Sequence, residues 1–224
     1  METITYTVKR SIRKSISILI NTNGEVTVKA PLQQSDVSID RFVQDKKDWI
    51  INTLEKVKKI QKERDAFILS KARFLGEIYP VKPISGKQVF FSKNCIEVPD
   101  GNQKEMMETL KTWYRAQAKS ILTSRVDHFS RLMGLYPESV KITSAKTRWG
   151  SCSQKKTINF SWKLIMASGF AIDYVVIHEL AHLKYMDHSN QFWALVDSFF
   201  PESDKAKAEL KTLQEAINNE GWEY

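Results

Sequence analysis

The chain has 224 residues, 42% hydrophobic and 27% charged, with a net charge of +8, which suits a soluble globular protein of one domain or two small lobes. Apolar runs such as Ile16 to Ile20 and Tyr174 to Ile177 are far too short to cross a bilayer, so no membrane role is expected. Two cysteines, Cys95 and Cys152, without a Cys-x-x-Cys spacing, exclude a disulfide framework and predict free thiols.

The first thirty residues alternate as strands do: Ile4, Tyr6 and Val8, then Ile16, Ile18 and Ile20, then Val26 and Val28. Asn21-Thr22-Asn23-Gly24 supplies the turn before the third run. From Asp40 to about Arg64 the period becomes helical, with Phe42, Trp49, Ile50, Leu54, Val57 and Ile60 on one face and Ser38 or Asp40 as cap. Residues 74–98 return to short β runs, interrupted by Pro80, Pro83 and Gly86. A long helical pattern follows Pro99-Asp100-Gly101 and stops near Met133, where Gly134 and Pro137 end it. Val140 to Ser144 and Thr157 to Ser161 read as strands on either side of a polar loop holding Arg148 to Cys152. Three helices complete the chain. One starts near a capping Asp173, one follows His188 with Phe192, Trp193, Val196 and Phe199 inward, and one covers 203–218.

The expected fold is therefore α+β: a β-rich N-terminal lobe with one crossing helix over residues 1–100, then a mostly helical lobe over 101–224. Charge is uneven along it. Residues 1–100 carry 18 Lys/Arg against 12 Asp/Glu, and residues 101–224 carry 16 against 14. A positive N-terminal half would suit nucleic acid, nucleotides or acidic polypeptides, or simply be a solvated surface. Met1 to Tyr6 has neither the basic start nor the apolar stretch of a secretory signal, so a cytoplasmic protein is expected.

Chemistry concentrates in His178-Glu179-Leu180-Ala181-His182, followed by His188. Histidines at i and i+4 leave a helix on one face, where two imidazoles converge on one cation. Glu179, beside the first, is placed to take a proton from water activated by the metal. Catalytic zinc takes three protein ligands and keeps one position open. His188 is the nearest third ligand; Glu202 and Glu209 are the alternatives a helical acid would supply. Apolar neighbours, Val175, Val176, Ile177, Leu180 and Leu183, predict a buried helix, in which a dication would satisfy otherwise costly polar groups. Arg148, Tyr185 and backbone amides near Gly150 are the candidates for stabilising a developing oxyanion. The reaction class these residues support is Zn2+-dependent hydrolysis.

Thr147-Arg148-Trp149-Gly150-Ser151-Cys152, the Ile158 strand, Asp173 to Leu183 and His188-Ser189 with Phe192-Trp193 resemble the YgjP-like metallopeptidases, relatives of the SprT-like zincins. The resemblance is strongest over residues 140–200. It implies a zincin-like C-terminal lobe, a metal held by His178, His182 and His188, Glu179 as acid and base, and a peptide or protein substrate. Ser161 and Ala167-Ser168-Gly169 depart from the family pattern outside the ligand set. Two further functions remain open: hydrolysis of nucleoside triphosphates at the same metal, and a protease associated with nucleic acid through the basic N-terminal half.

Overall fold

The computed structural model describes residues 4–21, 23–220 and 222, and for 63–69 the backbone alone. The chain divides into two compact units, Met1–Ala66 and Phe67–Tyr224. The fold is α+β with a β-rich N-terminal part, as expected. The boundary drawn at residue 100, however, falls inside the second unit. Ala72, Phe74, Val81, Ile96 and Val98 share one core with the helices that follow. Short β runs leave no sequence mark of the core they join.

In the first unit, β1 (Tyr6–Ser11) lies parallel to β3 (Val26–Pro31), and β2 (Ser17–Ile20) lies antiparallel to β3 on its other side. β3 is central, and its alternation puts Val26, Val28 and Ala30 inward. Two helices pack on them, α1 (Asp36–Asp45) and α2 (Lys47–Ser70). The single helix expected from Asp40 is thus two. Ser35 caps α1 by accepting from the Ser38 amide, and the chain leaves helical geometry at Lys46 before restarting. That break brings Ile39, Val43 and Ile50 into the core, whereas Trp49 and Ile60 remain exposed. Arg10 pairs with Asp36 and so fastens the end of β1 to the start of α1.

The second unit begins with a four-stranded sheet, ordered β4 (Lys71–Phe74), β5 (Glu77–Ile84), β7 (Cys95–Pro99), β6 (Phe90–Ser92). Pro80 and Pro83 lie inside β5 and do not break it. β5 changes partner midway, pairing antiparallel with β4 up to Pro80 and parallel with β7 from Val81, so each half has a free edge that tolerates proline. α3 (Gln103–Met133) starts in a capping box between Asn102 and Glu105 and ends at Gly134, whose φ of 68° is the left-handed cap glycine favours. Its residues Met106, Leu110, Tyr114, Ala118, Leu122 and Val126 are all buried. Spaced every four residues, they form one ridge against the core.

A second sheet, β8 (Ser139–Thr143), β10 (Thr157–Ser161) and β9 (Gly150–Cys152), has β10 in the middle, parallel to β8 and antiparallel to β9. Part of the expected polar loop is therefore an edge strand. Cross-strand pairing of Phe160 with Gly150 and Ile158 with Cys152 holds it, and tripeptide strands carry too little pattern to read. A 3-10 turn (Trp162–Met166) leads to α4 (Gly169–Ala181), α5 (Asn190–Phe199) and α6 (Ser203–Glu220). In α5, Phe192 and Val196 are inward; Phe199 is half-exposed and Phe200 takes the inward place. No helix among the described residues is long and apolar enough to cross a membrane.

Candidate metal centre

α4 is apolar almost all round, as a helix surrounded by protein must be. Ser168 caps it by accepting from the Ala171 amide, so the helix begins a turn earlier than a cap at Asp173 would allow. Asp173 instead faces Arg125 of α3 at 3.2 Å, and burial raises its pKa against that pull. Two outside contacts fix the start of α4. The Ser168 amide and hydroxyl both donate to Glu209 of α6, at 2.9 and 2.8 Å. The turn between β4 and β5 also closes on it: Gly76 sits at a φ of 89°, and a Cβ there would meet the Ser168 Cα at 2.9 Å.

From that fixed end, Tyr174, His178 and His182 recur every fourth residue on one face. His182 is the cap residue that ends the helix. The chain then turns, with the Lys184 and Tyr185 amides both donating to the Ala181 carbonyl. Asp187 accepts from the Ser189 amide at 3.3 Å, and α5 leaves in a new direction. This turn returns His188 to the other two. The ligand atoms of His178, His182 and His188 lie within 4.8 Å of one another, with His178 Nε2 and His188 Nε2 3.2 Å apart.

Aromatic rings hold the imidazoles in place. Phe192 stacks on His182 at 4.5 Å and meets His178 edge-on at 4.9 Å, while Trp193 stacks on His188 at 5.5 Å. His182 Nδ1 lies 3.0 Å from the Tyr185 carbonyl. A carbonyl only accepts, so Nδ1 carries the proton and Nε2 is left with its lone pair. Burial lowers the pKa of His178 to about 3, helped by the neighbouring histidines and Lys207, and burial lowers that of His182 as well. Both are neutral near pH 7, the form that binds a metal.

Glu179 is buried, and burial raises its pKa to about 8 against the opposing charge of Arg148. Its Oε2 is buried without a hydrogen-bond partner among the described residues, as is His178 Nδ1. The carboxylate lies against β9, where a Cβ on Gly150 would come within 2.5 Å of Oε1. A cleft of about 440 Å³ opens over His178 and Glu179, bounded by Trp149, Gly150, Tyr174, Lys207 and Lys211 among others.

The donor set fits a dication. Tetrahedral ligation with metal–nitrogen bonds of about 2.0–2.1 Å separates neighbouring nitrogens by about 3.3 Å, close to the His178–His188 spacing. Neither alternative third ligand belongs to the converging group of the described residues, which is His178, His182 and His188. Glu209 is committed to Ser168, and Glu202 stands beside Lys205 at the surface.

The model of the YgjP-like metallopeptidase domain matches residues 14–213. The chain belongs to the YgjP-like family. This YgjP-like protein is accordingly a hydrolase of the metallopeptidase class, with a histidine cluster able to bind a metal ion. Among solved structures it is similar to the zymogen of Pyrococcus abyssi abylysin, a metallopeptidase, with 26% identity over 43% of this chain and 95% of that one, at a TM-score of 0.38. The zymogen of the metallopeptidase jannalysin from Methanocaldococcus jannaschii has 22% identity over 43% of this chain and 97% of that one, at a TM-score of 0.37. No curated protein matches the chain.

Of the groups expected beside the metal, Arg148 and Tyr185 do not line this cleft. Arg148 is exposed and acts on Glu179 through its charge. Tyr185 contributes its carbonyl to His182, and Lys184 lies over its ring at 5.4 Å. Sequence reasoning missed Tyr174, Lys207 and Lys211 in the YgjP-like cleft. Tyr174 had a signal, its place four residues before His178. The lysines had none, because nothing local ties the last helix to the motif. Cys95 and Cys152 are free thiols, as expected.

Proposed function

We propose that the chain is a zinc-dependent peptidase in which His178, His182 and His188 hold the metal and Glu179 is the general base and acid. The observation that carries this reading is the convergence of three imidazoles beside the buried Glu179, whose Oε2 has no hydrogen-bond partner among the described residues and which shares a cleft with His178. Bound there, zinc supplies a Lewis acid that polarises a carbonyl and lowers the pKa of water to about 7. Glu179 takes a proton at its carboxylate and returns it to the leaving amine. Its burial favours the return, and Arg148 favours the ionised starting form. The Tyr185 carbonyl orients His182. Tyr174, its phenol held protonated by a pKa raised to about 12 through burial, is the hydroxyl donor beside a reacting carbonyl, the place first expected for Tyr185.

The substrate is a peptide or protein, and the setting is the cytoplasm. Zinc-loaded protein should cleave members of a peptide mixture, and Glu179→Gln should abolish cleavage while zinc content stays at one per chain. Cleavage undiminished in Glu179→Gln would end this reading. A second reading, hydrolysis of nucleoside triphosphates, draws on Lys207 and Lys211 in the same cleft. Release of pyrophosphate or phosphate that disappears in Glu179→Gln, with no peptide cut, would establish it instead.

A further inference from the structure

α6 contributes to the cleft from the opposite end of the sequence. Lys207 and Lys211, one turn apart, and Leu210 between them line the same cleft as His178 and Glu179. Lys207 is not a loose surface chain. Its Nζ sits 4.5 Å from the centroid of Trp193, the ring that stacks on His188, and 3.0 Å from Asp204 Oδ1. Asp204 is almost wholly exposed, so that pair is solvated and weak, and a substrate oxyanion can replace it at little cost. Lys211 has no ion pair among the described residues. Trp149, Val175 and Leu210 give the cleft apolar wall beside the polar Thr147, Tyr174 and Gln214, and that apolar wall strengthens a charge contact made against it.

We propose that Lys207 and Lys211 form a subsite for a carboxylate of the peptide substrate, an acidic side chain or the free C-terminus, and thereby select where the chain is cut. The inference rests on the peptidase reading above. Lys207, braced on Trp193, ties the anion to the ring that also buttresses His188. A carboxylate held there fixes the register of the scissile bond over the metal site. Lys211, one turn further along, either shares the oxyanion or takes a second one.

The test uses the zinc-loaded full chain and a proteome-derived peptide library, with cleavage sites read by mass spectrometry. Two further libraries separate the sources, one amidated at its C-termini and one with every carboxylate esterified. Wild type should cut preferentially near acidic residues or free C-termini. Lys207→Gln/Lys211→Gln should lose that preference by on the order of ten- to hundredfold in kcat/KM, while binding as much zinc as wild type. Lys207→Glu/Lys211→Glu should turn the preference toward basic peptides. Loss of preference on amidation alone identifies the C-terminus; loss only on esterification of both kinds of carboxylate identifies the side chain. Cleavage that ignores carboxylates in wild type, or a preference the double variant retains, overturns the subsite and leaves the peptidase reading standing. No peptide cleavage by wild type overturns both, and turnover of nucleoside triphosphates in its place assigns the lysines to phosphate.

Discussion

Gly150 and Glu179 are in direct contact, with room for a hydrogen but not a methyl group: a Cβ on the glycine would lie 2.5 Å from Oε1, 2.7 Å from Cγ and 2.8 Å from Cδ of the glutamate. An edge strand thus forms the wall against which the buried acid rests. Gly150→Ala must displace that carboxylate or the strand. The expected outcome is a large loss of hydrolytic activity, with a destabilisation of about 1–3 kcal/mol and zinc content unchanged. Activity and metal analysis on the same sample check it, and full activity in the variant would show that Glu179 has freedom the contact denies it.

Glu202 and Glu209 lie outside the converging histidine group, and Glu209 is held by Ser168, which separates His188 from Glu209 in an experiment. His188→Ala should lose most bound zinc, because it removes one of three convergent nitrogens. Glu209→Gln should keep zinc but weaken the hold on Ser168, lowering stability by about 1–2 kcal/mol. Zinc analysis together with denaturant unfolding reads both, and the reverse pattern would make Glu209 the ligand.

In metal-free protein, Glu179 gives stability a pH dependence of known sign. Its pKa is about 8 when folded, against an ordinary 4.5, so between those values the native state binds more protons than the unfolded chain. Its contribution is intact below pH 4.5, falls as pH rises towards 8, and is lost above. The change is at most about 5 kcal/mol. Comparing wild type with Glu179→Gln in chelator cancels the other groups: the variant should gain relative stability from pH 5 to 8. A difference that is flat with pH would contradict the burial of an ionisable acid.

Cys152 should be slow to react. Burial, with the charge of Glu179, raises its pKa to about 11, and only the thiolate is nucleophilic. At pH 8 the thiolate fraction is about one in a thousand, compared with roughly a quarter for an ordinary thiol of pKa about 8.5. Native protein treated with iodoacetamide should therefore leave Cys152 largely unmodified at pH 8, with the rate rising tenfold per pH unit up to about 11. Peptide mapping after alkylation checks this, and rapid labelling at neutral pH would refute it.

Core position Leu122, fully buried on the α3 ridge, offers a probe outside the site. Leu122→Ala should cost about 2–5 kcal/mol in unfolding followed by tryptophan fluorescence of the second unit. A smaller loss would mean that the ridge repacks around the cavity.

Local pattern carried the chemistry. Histidines at i and i+4 come to one face wherever their segment is helical, and the apolar stretch around them predicts an interior element. The long period of α3, beginning after Gly101 and stopped by Gly134, is legible for the same reason, although its Asn102 cap is seen only in the structure. Where a structural choice depends on a distant partner, local pattern does not reveal it. Ser168 rather than Asp173 begins α4 because Glu209, forty-one residues on, meets it there. The helix after residue 35 breaks at Lys46 because Val43 and Ile50 must both reach the core of β3.

The sequence by itself determined three candidate imidazole ligands, their glutamate and an α+β fold, since these follow from spacing and hydrophobic periodicity within single elements. Tertiary structure alone decided that Glu209 serves Ser168, that Gly150 walls Glu179, that Ala72 to Val98 contribute to the second core, and that Lys207 and Lys211 line the cleft with His178 and Glu179. Those relationships cross tens of residues. They are set by which surfaces pack together, a property no local period encodes.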